Sequence, residues 1–93
     1  MQRIRDVVCN HYGLTSAELI SHIRVVRLIR PRQIAMWLCC KLVRNISTPK
    51  IGRAFGNRDH STIIFSRNKI ERLLATDPQL ADEIATLRKM IET

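Results

Sequence analysis

The stretch that decides the fold reads Ser47-Thr48-Pro49-Lys50-Ile51-Gly52-Arg53-Ala54-Phe55-Gly56-Asn57-Arg58-Asp59-His60-Ser61-Thr62-Ile63. A hydroxyl cap followed by proline marks the start of a short helix, which we predict over Pro49–Phe55. Gly56 and Asn57 accept a positive φ and break that helix. Asp59 can cap a longer helix that runs to about Ala75. A short helix, a tight turn with glycine and a longer helix form a helix-turn-helix, here at about residues 48–75.

Hydrophobic periodicity outside this stretch predicts four more helices and no strand. Gly13 ends the first helix, and a capping box at Thr15 starts the second. We interpret residues 22–30 as a basic loop, because they lack a clean apolar stripe. The four helices are expected over Gln2–Tyr12, from Thr15 through Ile20, from Pro31 onward, and from Asp77-Pro78 onward. The sequence therefore predicts an all-α, single six-helix domain over residues 1–93.

Positive charge is concentrated in the middle of the chain, whose formal net charge is +8. No acidic residue lies between Glu18 and Asp59. The basic residues of that interval are Arg24, Arg27, Arg30, Arg32, Lys41, Arg44, Lys50, Arg53 and Arg58. Such segregation attracts polyanions, and we favour nucleic acid over a functionless basic surface. Prolines interrupt the segment, which argues against a membrane-surface helix.

Several functional classes are not supported by the sequence. The three cysteines, Cys9, Cys39 and Cys40, are odd in number, so we interpret them as small buried hydrophobes of a reducing compartment. Histidine and cysteine spacing fits no metal site, and no phosphate-binding Gly-x-x-x-x-Gly-Lys-Ser/Thr loop is present. Adjacent Asp59, His60 and Ser61 point in different directions and cannot form a catalytic triad. We expect a cytoplasmic protein that is not an enzyme and uses no cofactor, metal, nucleotide or membrane.

The start of the longer helix carries side chains suited to base recognition. In a helix-turn-helix the second helix enters the major groove with its N-terminal residues, here Asp59, His60, Ser61 and Thr62. Aspartate accepts from cytosine, serine and threonine bond to several bases, and a threonine methyl packs on a thymine methyl. The alternative is structural, because Asp59 can simply cap the helix and Ser61 and Thr62 are common in a first turn.

The sequence also resembles the C-terminal DNA-binding domain of the bacterial DnaA replication initiators. The resemblance extends from Val7 through the last helix, and its motifs are Arg30–Met36, Pro49–Phe55, Gly56–Ile63 and Lys69-Ile70-Glu71. It implies a Trp-repressor-like helix-turn-helix that binds double-stranded DNA at nonameric DnaA boxes. It further implies origin binding in the control of replication initiation or transcription, in association with the nucleoid.

The resemblance assigns roles to individual residues. It implies that Arg24 enters the minor groove, with Arg27 as the alternative, and that Asp59, His60, Ser61 and Thr62 read the major groove. It also implies backbone contacts by Arg32, Gln33, Ser47 and Thr48, and we expect Lys41 to contact phosphate as well. Ser61 replaces the usual threonine, and Ile23, Val25 and Val26 stand where the family's loop is more polar.

Two questions stay open at this point. The chain resembles only one domain of an initiator, so it is either a stand-alone protein, which the starting methionine favours, or part of a longer one. The alternative function is a protein-interaction module that docks on the replication initiator, suggested by apolar Val25, Val26, Leu28 and Ile29 within the basic segment. Nonspecific nucleoid binding is a third hypothesis, which leaves the Asp-His-Ser-Thr run without a role.

Overall fold

Six α-helices make up the computed structural model, which describes all 93 residues. They are α1 (Gln2–Tyr12), α2 (Ser16–Ile20), α3 (Val26–Leu42), α4 (Thr48–Ala54), α5 (His60–Leu74) and α6 (Pro78–Glu92). The expected all-α architecture with six helices is confirmed, and α4, the turn and α5 form the helix-turn-helix.

Local capping chemistry sets most helix ends where the sequence predicts them. Gly13 ends α1 in the left-handed region at φ 66°. The Thr15 side chain accepts from the Glu18 backbone N–H, and Glu18 accepts from the Thr15 backbone N–H, so the predicted capping box is present. Ser47 and Asp77 likewise accept backbone N–H groups at the starts of α4 and α6. Each bond satisfies a donor that the first helical turn leaves without a partner.

The start of α3 corrects the prediction for residues 22–30. The helix begins at Val26, so residues 26–30 are helical, only residues 21–25 form a linker, and Pro31 lies inside the helix. Proline removes one backbone hydrogen bond there. Two tertiary contacts hold the added turn, since Leu28 is buried and Arg27 forms an ion pair with Glu18 of α2. Leu28 therefore belongs to the interior and not to the apolar surface of the predicted docking module.

The core is centred on α3, whose residues 31–39 are all buried. Helix α3 packs against α1, α5 and α2, and α6 closes the other side of α1. Trp37 lies in this core with its indole N–H donating to Glu71 Oε1 at 3.1 Å, as expected for a core aromatic. No helix combines the length and the apolar composition that crossing a bilayer requires.

The cysteines are free thiols. Cys9 and Cys39 are buried, as predicted for small hydrophobes, whereas Cys40 is half-buried. Burial disfavours the thiolate and raises the pKa of Cys39 to about 12. Cys39 is thus an unreactive packing residue.

Candidate nucleic-acid interface

The turn between α4 and α5 is held in one conformation. Gly56 and Asn57 both have positive φ, at 76° and 58°, a conformation that glycine and asparagine tolerate best. Phe55, just before them, is fully buried, and the Arg58 backbone N–H donates to the Gly52 carbonyl at 2.8 Å. A Cβ at Gly52 would lie 2.1 Å from the Arg58 carbonyl oxygen, so the turn approaches α4 as closely as glycine allows. This geometry fixes the direction in which α5 leaves the turn.

Arg58 ties this turn to α2. Its guanidinium points inward, where it donates to the carbonyls of Ile20 at 3.2 Å and Ser21 at 2.5 Å and to that of Phe55. The His22 ring nitrogen lies 2.6 Å from the Gly56 carbonyl and adds a second link from the linker to the turn. Burial lowers the pKa of Arg58. The charge distribution of the sequence led us to expect Arg58 at the cationic surface. No feature of the neighbouring sequence indicates that its side chain points inward.

Arg32, for which the resemblance implies a DNA-backbone contact, also points inward and has its guanidinium engaged within the protein. It is 6% exposed, and its guanidinium donates to the carbonyls of Leu19, Ile23 and Glu18 at 3.0, 2.6 and 2.8 Å. A fourth bond reaches the Ser21 hydroxyl at 2.7 Å. Together, Arg32 and Arg58 satisfy four consecutive carbonyls, residues 18–21, at the C-terminal end of α2. Cations are favourable at a helix C-terminus, where the last carbonyls have few or no intrahelical donors.

The predicted base-reading residues lie on the surface at the start of α5. Asp59 occupies the N-cap position, but its carboxylate makes no capping bond. Instead it accepts from the Ser61 hydroxyl at 2.5 Å and lies 3.1 Å from His60 Nδ1, and the Ser61 bond is the larger cause of its lowered pKa. Asp59, His60, Ser61 and Thr62 are all exposed. Asp59 thus holds the N-cap position without the side-chain capping bond that the structural alternative assumes. Ser61 donates to Asp59 and not to His60, so the proton relay of a catalytic triad is not formed.

A groove of about 610 Å³ brings the linker and α5 together. Arg24 of the linker shares this groove with Asp59, Ser61 and Thr62. The remaining lining residues come from the linker, α3, the turn and α5: His22, Ile29, Arg32, Gln33, Met36, Asn57, Arg58, Phe65 and Ser66. Two stretches that are distant in sequence, residues 22–36 and 57–66, thus line one groove.

Gln33 lies in the wall of the groove. It is only 9% exposed, and its buried Oε1 has no hydrogen-bond partner. Buried polar atoms are normally paired. The carboxamide is therefore a polar group at the groove with unused hydrogen-bonding capacity.

Lys41, Ser47 and Thr48 do not line the groove. Lys41, near the C-terminal end of α3, forms an ion pair with Glu71 at 2.5 Å and lies 5.7 Å from the Trp37 ring centroid. This contact with Lys41 is the main cause of the lowered pKa of Glu71. Ser47 uses its hydroxyl to cap α4, and Thr48 begins that helix.

Fewer basic side chains are free to contact phosphates than the number of basic residues in the sequence suggests. Of the nine basic residues between Glu18 and Asp59, Arg32 and Arg58 point inward, and Arg27 and Lys41 are ion-paired. The other five are exposed and form no ion pair: Arg24, Arg30, Arg44, Lys50 and Arg53. Arg44 precedes α4, and Lys50 and Arg53 lie on it, the helix that crosses the DNA backbone in a helix-turn-helix.

Five large apolar side chains are exposed, and two of them, Ile29 and Phe65, line the groove. Val26 is 84% exposed, Ile23 60% and Phe65 58%, and Val25 and Ile29 are also exposed. The sequence pointed to the valines and Ile29, but it missed Phe65. Aromatic residues in a helical stripe are most often core, and nothing local to Phe65 in the sequence marks it as an exception.

Comparison with known proteins places the sequence of this chain in a family. Residues 1–70 match the family model described as the bacterial dnaA protein helix-turn-helix. The chain is 42% identical over 92 residues to the chromosomal replication initiator protein DnaA of Cereibacter sphaeroides, covering 99% of this chain and 20% of that protein. It is 38% identical over 91 residues to that of Brucella abortus and 42% over 91 residues to that of Rhizobium meliloti, covering 98% of this chain and 18% and 19% of those proteins.

The chain spans about a fifth of the length of these curated relatives. The resemblance inferred from the motifs is confirmed, and membership in a DNA-binding family fits a protein that is not an enzyme. The chain belongs to the bacterial DnaA helix-turn-helix family and is a DNA-binding domain of that family.

Proposed function

We propose that this domain binds double-stranded DNA sequence-specifically, at sites like the DnaA box, and acts in the control of replication initiation or transcription. The observation that carries the proposal is the shared groove. It sets exposed Asp59, Ser61 and Thr62 at the start of a recognition helix beside an unpaired arginine, Arg24, on a linker tied to the same turn. The relatives that it matches, which are chromosomal replication initiator proteins, support the biological setting.

The proposed binding mode assigns one groove to each segment. Helix α5 enters the major groove, where Asp59, His60 and Thr62 offer an acceptor, a ring nitrogen and a hydroxyl with a methyl group. Arg24 extends from the linker into the adjacent minor groove, which attracts arginine. The amide of Gln33 and the hydroxyls of Ser47 and Thr48 provide neutral donors for phosphate oxygens. Lys41 contributes there only by giving up its contact with Glu71.

The number of free cations determines how strongly the DNA affinity should depend on salt concentration. Five exposed and unpaired cations neutralise about five phosphates, which gives a log–log slope of affinity against salt of about −4.5. If all nine basic residues contacted phosphates, the slope would be about −8. Titrations at several salt concentrations distinguish the two values.

The test of sequence reading is binding to duplexes that contain a DnaA box, with a scrambled duplex of the same composition as reference. We expect Asp59→Ala, His60→Ala and Thr62→Ala each to weaken box binding by roughly 1–3 kcal/mol and to relax base preference. Lys50→Ala is the matched control, since it should weaken box and scrambled DNA alike. Equal wild-type affinity for the two duplexes would reject sequence-specific recognition.

A second candidate function is docking on the replication initiator, and the exposure of Val26 and Ile23 favours it. These two side chains leave apolar surface in water at the linker and at the first residue of α3. Capture of the initiator by the wild-type domain should survive nuclease treatment and be lost in a Val26→Ser, Ile23→Ser variant. Capture that disappears with nuclease would show that DNA alone links the two proteins. We also propose that the protein is associated with the nucleoid in the cytoplasm, whether it controls replication initiation or transcription.

A further inference from the structure

We infer that Phe65 is a specificity-determining residue that recognises the C5-methyl group of a thymine in the major groove. The inference rests on the proposed function and adds to it a base-reading side chain that the sequence motif does not contain. Phe65 lies outside the Asp59–Thr62 run, and its role follows from its exposure, its position on α5 and its chemistry.

Phe65 is the aromatic side chain that the fold leaves in water. It is 58% exposed, whereas Trp37 and Phe55 are buried and Tyr12 is half-buried. More than half of the ring lies in water, and burying it against an apolar surface would be favourable. An aromatic residue kept at the surface of a binding groove is therefore a candidate contact residue.

The helical register places Phe65 beside the base-reading residues. It follows Thr62 by three positions and Ser61 by four, so the three side chains share one face of α5. All three line the groove together with Arg24 and Ile29. With a rise of about 1.5 Å per residue, Phe65 lies about 4.5 Å farther along α5 than Thr62 and about 6 Å farther than Ser61. That shift corresponds to roughly one or two base-pair steps of about 3.4 Å.

The apolar phenyl ring of Phe65 is suited to contact an apolar group of a base. A phenyl group cannot donate to or accept from the polar edges of guanine, adenine or cytosine in the way that Asp59 or Thr62 can. The thymine C5-methyl is the apolar group that the unmodified major groove presents, and phenylalanine is one of the residues that pack on it. Ser61 has no methyl group of its own, so Phe65 supplies apolar contact one helical turn later on the same face.

The experiment removes the methyl group and nothing else. Box-containing duplexes are prepared in which one thymine at a time is replaced by deoxyuridine, which pairs identically but lacks the C5-methyl. Affinities are measured by fluorescence anisotropy for the wild-type domain and for Phe65→Ala. For wild type we expect one position, or two adjacent ones, at which affinity falls about four-fold, the value for one buried methyl group. Phe65→Ala should show no loss at that position.

Two variants serve as controls. Phe65→Leu keeps an apolar side chain and should retain part of the methyl dependence. Val26→Ala shortens a more exposed apolar residue that does not line the groove, and it should reproduce the wild-type profile. Thermal melts establish that each variant is folded.

The outcomes separate the inference from the function on which it rests. If wild type does not distinguish box from scrambled DNA, both the proposed function and the inference are overturned. If it does distinguish them, but every deoxyuridine is neutral or the loss persists in Phe65→Ala, only the role of Phe65 is overturned. Loss of initiator capture in Phe65→Ala, with the deoxyuridine profile unchanged, would assign the ring to a protein partner instead.

Discussion

Replacing Arg32 by alanine tests whether this arginine stabilises the fold or contacts DNA. In the structure its guanidinium makes four hydrogen bonds, three to carbonyls at the end of α2 and in the linker and one to the Ser21 hydroxyl. Arg32→Ala leaves the carbonyls of Leu19 and Ile23 without a partner, whereas the Glu18 carbonyl keeps the Ser21 hydroxyl and backbone N–H as donors. Unpaired buried carbonyls are costly, because folding has already removed water from them.

The magnitude follows from the number and type of these bonds. Hydrogen bonds to a charged group contribute about 1.5–3 kcal/mol each, but bonds that share one side chain are not additive. Water also enters the space that the side chain leaves. We therefore expect a loss of about 3–5 kcal/mol, a large part of the roughly 5–15 kcal/mol that stabilises a domain of this size. At about 4–8 °C per kcal/mol, Tm should fall by at least about 12 °C.

Thermal and urea unfolding followed by circular dichroism measure this loss, with Arg30→Ala as the matched control. Arg30 is exposed, forms no ion pair and carries the same charge two positions earlier, so its removal should change stability by no more than about 0.5 kcal/mol. Arg32→Lys keeps the charge without the planar fork and should be intermediate. A Tm for Arg32→Ala within about 1 °C of wild type, together with a loss of DNA affinity, would refute the structural role.

Three further perturbations test the turn, the linker and the pH response. Gly52→Ala places a Cβ 2.1 Å from the Arg58 carbonyl oxygen and should destabilise the domain by about 1–3 kcal/mol in urea unfolding, whereas a neutral effect would contradict the close packing of α4 and the turn. Arg24→Ala should weaken binding to a DnaA-box duplex at unchanged Tm, and a larger loss for Arg27→Ala would transfer the minor-groove role to Arg27. The pKa of Glu18 is lowered, first by the Thr15 backbone N–H and then by Arg27, so its stabilising effect is present above the unfolded-state pKa and disappears as pH falls through the folded-state pKa. Acid unfolding of Glu18→Gln should therefore be less steep with pH than that of wild type, and identical slopes would contradict this linkage.

Helix ends were predictable where their cause is local. Gly13 and the hydroxyl or carboxylate caps at Thr15, Ser47 and Asp77 act within a few residues, and the structure places helix ends there. The start of α3 was not predictable in this way. Its first turn buries Leu28 but exposes Val26 and Ile29, so no apolar stripe is visible in the sequence. The contacts that hold this turn come from α2, which periodicity within one segment does not report.

In the candidate site, too, features with a local cause were predictable and features set by tertiary contacts were not. The exposed start of α5 follows from the helix-turn-helix pattern, which is local in sequence. The arginines required tertiary structure, because Arg24 and Arg32 both lie in the same basic segment, yet one is exposed and the other is buried against carbonyls. Phe65 escaped detection for a related reason. Its neighbours Ile63 and Ile70 are fully buried, and only the packed helix shows that Phe65 points away from them.

The inward arginines explain how a short helix can set the geometry of the whole interface. Helix α2 spans only Ser16–Ile20, too short to be stable alone. Arg32 joins its last carbonyls to α3, and Arg58 joins them to the turn before α5. The linker that carries Arg24 leaves directly from this junction. The distance between Arg24 and the start of α5 is therefore set before DNA arrives, and such preorganisation lowers the entropic cost of binding. From composition, Arg32 and Arg58 were counted among the residues that attract DNA. In the structure they instead stabilise the conformation of the DNA-binding surface in the free protein.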